Sequence, residues 1–514
     1  MTDTRVLFSA GEAAGMIGGA CRGNLEAPIL DVTADSRKAG KGSLFVALPG
    51  ENFDGHDFIA AALRQGASCV LAALDKKESA IAAAELGAAE LGAAELGAAE
   101  LGEACLIFVQ SPLAGLQALA REHRRRMKGL LRIGITGSSG KTTTKECIGA
   151  ALLPTYPAGS LIMNEGNLNS DIGLALSMFA LKASHKVGVF EMGMNRKGEM
   201  DELASIYEPD IAVITNIGTA HIGMIGTRQG IADEKKKIFS RFSGSQRGFV
   251  WEDDPYKNFL KTDVSGRISE FGFRSTKGLE EVESLGLRGW RLRWLGQDFT
   301  FSLPGEHNLL NALAALSVAA DLERDPELVA SGLASVTPLF GRSEIFEGRI
   351  FLVRDCYNAN PESVAAAISL CDSVECEGKK IYVLGSMREL GDTSADEHEA
   401  MGRKAESSAA DGLFFFGDEA KASYEAALSA AKRGPAGSRP GRIIFHTSDI
   451  ESLKKSVLDY LREGDLVLAK ASRGLALERF TKVLFDQGWV SESAKAEEIN
   501  GINPTATKGA AHAS

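Results

Sequence analysis

The plainest chemistry in this 514-residue chain belongs to Gly137-Ser138-Ser139-Gly140-Lys141-Thr142-Thr143. An apolar run, Leu131 to Thr136, leads into it, and a helix-forming stretch follows. A glycine-bearing turn between strand and helix lets backbone N–H groups converge on phosphate oxygens. Lys141 then adds positive charge toward the β- and γ-phosphates, and the Thr142 hydroxyl is placed to ligate Mg²⁺. These residues predict a nucleoside triphosphate site. The usual loop has a glycine five residues before Gly140; here Ile135 holds that place and Gly134 stands one residue early, so the loop is a variant.

Magnesium beside a triphosphate needs protein ligands as well as phosphates. Glu191 closes the apolar run Val187 to Phe190, and His221 follows Asn216-Ile217-Gly218-Thr219-Ala220. In a parallel sheet the carboxyl ends of the strands gather on one edge, where binding crevices form. Either residue alone reads as a satisfied polar group at a strand end. Together with the loop they read as metal ligands.

The elements that must position these groups follow from the alternation of apolar runs with helical stretches. The length suggests three domains. Residues 1–127 mix short strands (Ser43 to Leu48, Ser68 to Ala72, Cys105 to Val109) with helices, as a small α/β domain. Residues 128–338 read as a central P-loop domain with a parallel sheet, and 339–490 as a second, Rossmann-like doubly wound domain. Residues 491–514 lack apolar periodicity and are expected to be a disordered tail. Glu-Leu-Gly recurs at Glu85, Glu90, Glu95 and Glu100; a glycine every fifth residue costs roughly 1 kcal/mol per site in a helix, so a frayed, solvated helical insertion is expected. The basic run Arg121 to Lys128 reads as a solvated helix end at a domain junction.

A net charge of -11 excludes broad nucleic-acid binding and confines any anion site to a local cationic pocket. Seven scattered cysteines without paired spacing suit reduced thiols; Cys371 and Cys376 flank a polar loop but have no second pair to complete a metal site. No stretch approaches the roughly 18 apolar residues of a membrane span, so a cytoplasmic protein is expected.

The motifs occur in an order that resembles one family. The loop at 137–142, Asn167-Leu168-Asn169-Ser170-Asp171-Ile172-Gly173, Glu191-Met192-Gly193, Asn216 to His221 and His307-Asn308-Leu309-Leu310-Asn311 are similar to those of the Mur ligases. Asp355-Cys356-Tyr357-Asn358-Ala359-Asn360-Pro361 and Gly385-Ser386-Met387-Arg388-Glu389-Leu390-Gly391 resemble its D-alanyl-D-alanine-adding branch. The resemblance implies that ATP phosphorylates the terminal carboxylate of a UDP-N-acetylmuramoyl-tripeptide and that the amine of D-alanyl-D-alanine attacks the acyl phosphate.

By the same resemblance, Thr142 and Glu191 hold one Mg²⁺ and His221 serves a second. Lys141, Lys235 and His221 are catalytic, with Lys235 in carbamylated form among its neighbours Lys236 and Lys237. Asn308 and Asn311 contact adenine, while Arg342 and Asp355 reach phosphates and ribose. Ser36 contacts the uridine nucleotide, Asn358 and Asn360 lie in the substrate region, and the enzyme acts as a monomer. Lys470-Ala471-Ser472-Arg473-Gly474 departs from the family, with alanine where glycine is usual. The rivals are another amide ligase of the superfamily, diamino-acid-adding or folylpolyglutamate-forming, and a non-catalytic nucleotide-binding module.

Overall fold

Three sheets carry the strands that the apolar runs announce. They are seen in a computed structural model that describes residues 6–50, 53–90, 104–433 and 441–491. The central sheet has six parallel strands in the order Arg267–Phe271, Arg247–Trp251, Ile211–Ile214, Leu131–Thr136, Val187–Glu191 and Leu161–Met163. Strand alternation sends Ile133, Ile135, Val189 and Val213 into one core, which the helix Glu306–Asp321 covers. Phe190, Ala212 and Ile214 face the opposite core.

That second core is shared. Phe8, Leu116 and Leu119 of the N-terminal region enter it beside Leu174, Met178 and Phe179 of the central one. The N-terminal sheet runs Ala20–Gly23, Cys105–Val109, Cys69–Ala73, Ser43–Val46 and Asp31–Thr33, parallel except for its first strand. Helix Pro112–Arg125 bridges the two regions, and here one expectation is corrected. The basic run does end a helix between the two regions, with Arg125 and Lys128 exposed, but Arg124 is not solvated: it is 4% exposed, pairs with Glu208 at 2.8 Å and donates to the Ile206 carbonyl at 3.0 Å. Arg126 pairs with Glu12 and stacks on Phe8. The run serves the junction because arginine's planar fork can satisfy backbone carbonyls and carboxylates at once.

The C-terminal sheet has the order Glu344–Glu347, Phe351–Asp355, Leu466–Lys470, Lys380–Gly385, Gly412–Phe416 and Ile443–Thr447, with only the first strand antiparallel. A further three-stranded antiparallel sheet, Leu279–Ser284, Trp290–Trp294 and Gln297–Phe301, was not expected from the sequence. Its last turn is Leu295-Gly296, with φ of 45° and 75°, the paired left-handed residues of a two-residue hairpin. Leu292, Trp294 and Phe301 alternate inward and join the core of the central sheet.

Helix Lys77–Glu90 contains the first Glu-Leu-Gly unit, with Gly87 buried against the backbone of Ala60; the rest of the repeat after Glu90, with Glu95 and Glu100, lies outside the described residues, as does the tail from 492. Among the described residues no helix is long and apolar enough to cross a membrane.

One buried histidine fixes a loop that matters below. His398 Nε2 accepts from the Met387 N–H at 3.0 Å, while Nδ1 faces the Ser394 carbonyl at 2.7 Å, which selects the neutral ring protonated at Nδ1. Burial holds this imidazole below its ordinary value. The unfolded chain therefore binds the proton first, so the contribution is fully present above about pH 6.5 and is lost as pH falls through the lower folded value. Denaturant titrations at pH 7.5 and 5.5 should show lower stability at the acid end. His398→Phe should flatten that dependence and lower stability at pH 7.5 by about 1–3 kcal/mol, the cost of an unpaired buried N–H.

Candidate active site between the central and C-terminal sheets

The phosphate loop emerges where strand Leu131–Thr136 ends, flanked by the ends of Val187–Glu191 and Ile211–Ile214. Two glycines shape it. Gly140 has φ 79° and opens helix Lys141–Leu152 without a side-chain cap; a Cβ there would lie 2.5 Å from Asn311 Oδ1. At Gly137 a Cβ would strike Thr215 Oγ1. Gly134, by contrast, lies within the strand and is small for packing, since its Cβ would meet Met192 Sδ at 2.8 Å. The loop is held from below by Asn216, whose Oδ1 accepts from Ser139 N at 3.0 Å and whose Nδ2 donates to Ser139 Oγ at 2.9 Å.

Register places Glu191 beside Ile135, next to the loop. Its Oε2 accepts from Thr142 Oγ1 at 2.7 Å, and its Oε1 accepts from Asn169 Nδ2 at 2.6 Å. Thr142 and Glu191 thus present a hydroxyl and a carboxylate to the same cavity, the hard oxygen donors that Mg²⁺ takes together with phosphate and water. No group of three or more His, Cys, Asp or Glu side chains arranged to hold a metal occurs among the described residues, so neither Cys371 nor Cys376 sits in such a set.

Lys141 Nζ donates to the Gly137 carbonyl at 2.9 Å. Lys235 Nζ, wholly buried, donates to the same carbonyl at 2.9 Å. Burial lowers both ammonium groups, Lys235 well below the usual lysine range, and the charge of Lys141 pushes Lys235 further down. Glu191 opposes the lowering at Lys141 while Arg342 adds to it. His221 sits in a left-handed conformation, φ 66°, and its Nδ1 donates to Glu389 Oε2 at 2.8 Å. Burial keeps its imidazole below the ordinary value, whereas the hydrogen bond from His221 lowers the Glu389 carboxyl.

A cavity of about 580 Å³ gathers most of the sequence-predicted residues. From the loop come Ser138, Ser139, Gly140, Lys141, Thr142 and Thr143, joined by Glu191 and His221. Asn308 and Asn311 line it from helix Glu306–Asp321. Asn308 Nδ2 donates to the Pro304 carbonyl at 2.8 Å, and Asn311 Oδ1 accepts from Thr144 Oγ1 at 3.0 Å, so both amides are oriented by the protein. The C-terminal region contributes Arg342, Asp355, Asn358 and Asn360. Arg342 lies over the Tyr357 ring at 4.2 Å, and Asp355 Oδ2 pairs with Lys470 Nζ at 2.9 Å.

Three predicted residues do not line this cavity. Gly137 and Lys235 lie behind its wall, acting through the shared carbonyl. Ser36 is in the N-terminal region, in the short helix Ser36–Lys38 that Asp35 caps. Sequence reasoning assigned no role to Asn169, Glu362, Glu389 or Lys470. Three of these stood inside quoted motifs; Glu362, next to Pro361, had no signal beyond its charge. The family departure at Ala471 has a packing reason, because Ala471 is buried against Gly385, where a Cβ would come within 2.6 Å of the alanine's own.

Comparison with known proteins agrees with this geometry. Residues 28–121 match the Mur ligase family catalytic domain, 135–319 the Mur ligase middle domain, and 341–473 the Mur ligase glutamate ligase domain. The chain belongs to the Mur ligase family, and it is a ligase that uses ATP. A relative from Treponema pallidum, named UDP-N-acetylmuramoyl-tripeptide--D-alanyl-D-alanine ligase, is 39% identical over 454 residues, covering 88% of this chain and 93% of the relative. A crystal structure of MurF from Acinetobacter baumannii superposes with a TM-score of 0.79 at 27% identity, over 93% of this chain and 99% of that one. The MurF ligase of Thermotoga maritima in complex with ADP gives 0.71 at 29% identity, over 89% and 97%.

Gly140→Ala tests the cradle. Strain at a left-handed residue and the clash with Asn311 should weaken binding of a magnesium–ATP analogue at least tenfold, about 1.4 kcal/mol, by calorimetry, with the circular dichroism spectrum unchanged. Unaltered affinity would remove the loop from phosphate recognition.

Proposed function

We propose that this chain joins D-alanyl-D-alanine to UDP-N-acetylmuramoyl-tripeptide through an acyl phosphate, in the cytoplasmic assembly of peptidoglycan precursors. The observation that carries this reading is the single cavity in which the phosphate loop with Thr142 and Glu191 faces Asp355, Asn358 and Lys470 of another sheet. One wall suits a nucleotide and the other an acceptor. On this reading residues 1–127 hold the uridine nucleotide with Ser36 in contact, 128–338 hold ATP, and 339–490 deliver the dipeptide.

A carboxylate is a poor acyl donor, and phosphorylation gives it a good leaving group. The tripeptide carboxylate attacks the γ-phosphorus and ADP departs; the neutral dipeptide amine then attacks the acyl carbon, and the amide forms as inorganic phosphate leaves and the amine nitrogen gives up one proton to it or to solvent. Charge builds on transferring oxygens, so the protein's task is positioning and electrostatic stabilisation. Lys141 and the N-terminus of helix Lys141–Leu152 supply it. Thr142 and Glu191 would hold Mg²⁺, with His221 serving a second ion, and the metal would neutralise triphosphate charge. A neutral His221 imidazole has its ring nitrogen opposite Nδ1 left as a donor pair for such an ion.

Lys235 is suited to carbamylation. Two ammonium groups on one carbonyl repel, and burial favours the neutral amine at Lys235, the form that adds CO₂ and loses a proton. The resulting carbamate is an anion beside Lys141.

Lys141→Ala should reduce ligation by orders of magnitude with the fold retained. Amine-dependent ADP release should require D-alanyl-D-alanine; release with lysine or glutamate instead would overturn the substrate assignment. Lys235→Ala should be inactive and partly rescued by short carboxylic acids, whereas full activity without them would exclude the carbamate.

A further inference from the structure

Helix Pro361–Ser373 begins the C-terminal region's approach to the cavity, and its second residue reaches across to the other sheet. Glu362 Oε1 accepts from the Thr219 backbone N–H at 2.8 Å, and Oε2 accepts from the Thr219 hydroxyl at 3.1 Å. Both oxygens of one carboxylate are thereby committed to one residue of the central region. Such charge-assisted, two-point contacts fix orientation as well as distance.

The neighbouring glycine answers to the same contact. At Gly218 a Cβ would fall 2.6 Å from the Glu362 carboxyl carbon and 2.7 Å from Oε1, and its φ lies outside the left-handed range. Glycine is therefore kept there for space. Gly218 N donates to Ser138 Oγ of the phosphate loop at 2.8 Å, so the strip that Glu362 grips is itself bonded to the loop. Farther along, a Cβ on Gly223 would lie 2.6 Å from Gly391 N, and Gly223 N donates to the Glu389 carbonyl at 3.3 Å. Residues 217–223 form a docking strip for the C-terminal region, with Glu362 at one end and residues 389–391 at the other.

We infer that Glu362 is a positioning residue, a pin that seats the C-terminal region on Thr219 and so aligns the dipeptide amine with the acyl phosphate. The path runs from Ser138 through Gly218 and Thr219 to Glu362, and from there into the helix whose cap, Asn360, lines the cavity. Glu362 borders the cavity, but both of its carboxylate oxygens are engaged by Thr219, so it acts on alignment through that residue. The role rests on the ligase reading above, while the pin's geometric part stands apart from any substrate.

Steady-state kinetics and X-ray scattering test it together. Glu362→Ala should raise KM for D-alanyl-D-alanine about tenfold and lower kcat, with KM for ATP within about twofold of the parent. Gly218→Ala should reproduce this pattern by pushing the carboxylate away. Glu362→Ala combined with Gly218→Ala should be no worse than either alone, because the methyl then meets no carboxylate. Scattering with a non-hydrolysable nucleotide should show both single variants more extended than the parent. Parent-like kinetics and scattering in Glu362→Ala, or a double variant showing the product of the single defects, would overturn the pin. Failure of the parent itself to use D-alanyl-D-alanine, with scattering as expected, would overturn the substrate reading and leave the pin standing.

Discussion

Two lysine ammonium groups donate to one carbonyl, that of Gly137, and the arrangement of the site follows from how that crowding is tolerated. The carbonyl points backward because the loop turns at a residue that has no room for a side chain. Lys235, fully enclosed, and Lys141, at the cavity wall, then compete for the same lone pairs. Like charges at such range disfavour each other's ionisation, and burial adds to the effect. With Lys235 driven toward its neutral form, Lys141 and the N-terminus of helix Lys141–Leu152 are the local cationic groups that a triphosphate requires inside a protein whose overall charge is -11.

Glu191 balances this on one side only. Its two oxygens are held by Thr142 and Asn169, so the carboxylate is oriented before any ligand arrives. Preorganisation of this kind lowers the reorganisation needed during phosphoryl transfer. Asn164 extends the support, accepting from Glu191 N at 2.9 Å and donating to its carbonyl at 3.1 Å.

Much of the site was legible because its residues sit at strand ends and helix starts, where short motifs and physical role coincide. Gly140, Lys141, Thr142, Glu191 and His221 could be read in this way. The strands Cys105–Val109 and Leu131–Thr136 were legible to the residue, the first because it is a continuous apolar run and the second because the phosphate loop marks its end. The hairpin at 290–301 was missed because its period-two pattern sits among parallel-strand signals, although Leu295-Gly296 marked its turn. Arg124 was misread since charge suggests solvent, and only tertiary packing reveals carbonyls waiting for a guanidinium. Glu362 was invisible for a different reason: its partner lies 143 positions away in sequence and is a backbone N–H, which no side-chain pattern records.

The apolar core that Phe8, Leu116 and Leu119 share with Leu174 and Phe179 gives the chain an uneven anatomy. The front region is fused to its neighbour by hydrocarbon, His123 and arginine, whereas the rear region meets the same neighbour across glycines, polar contacts such as Glu362 to Thr219, and the apolar side chains of Leu287 and Ile222. Exchanging the front region for that of a distant relative would thus require transplanting half of a foreign interior as well. The rear region, which shares only Leu287 and Ile222 of the central region with its own core, is the part whose replacement disturbs less of the interior of the rest.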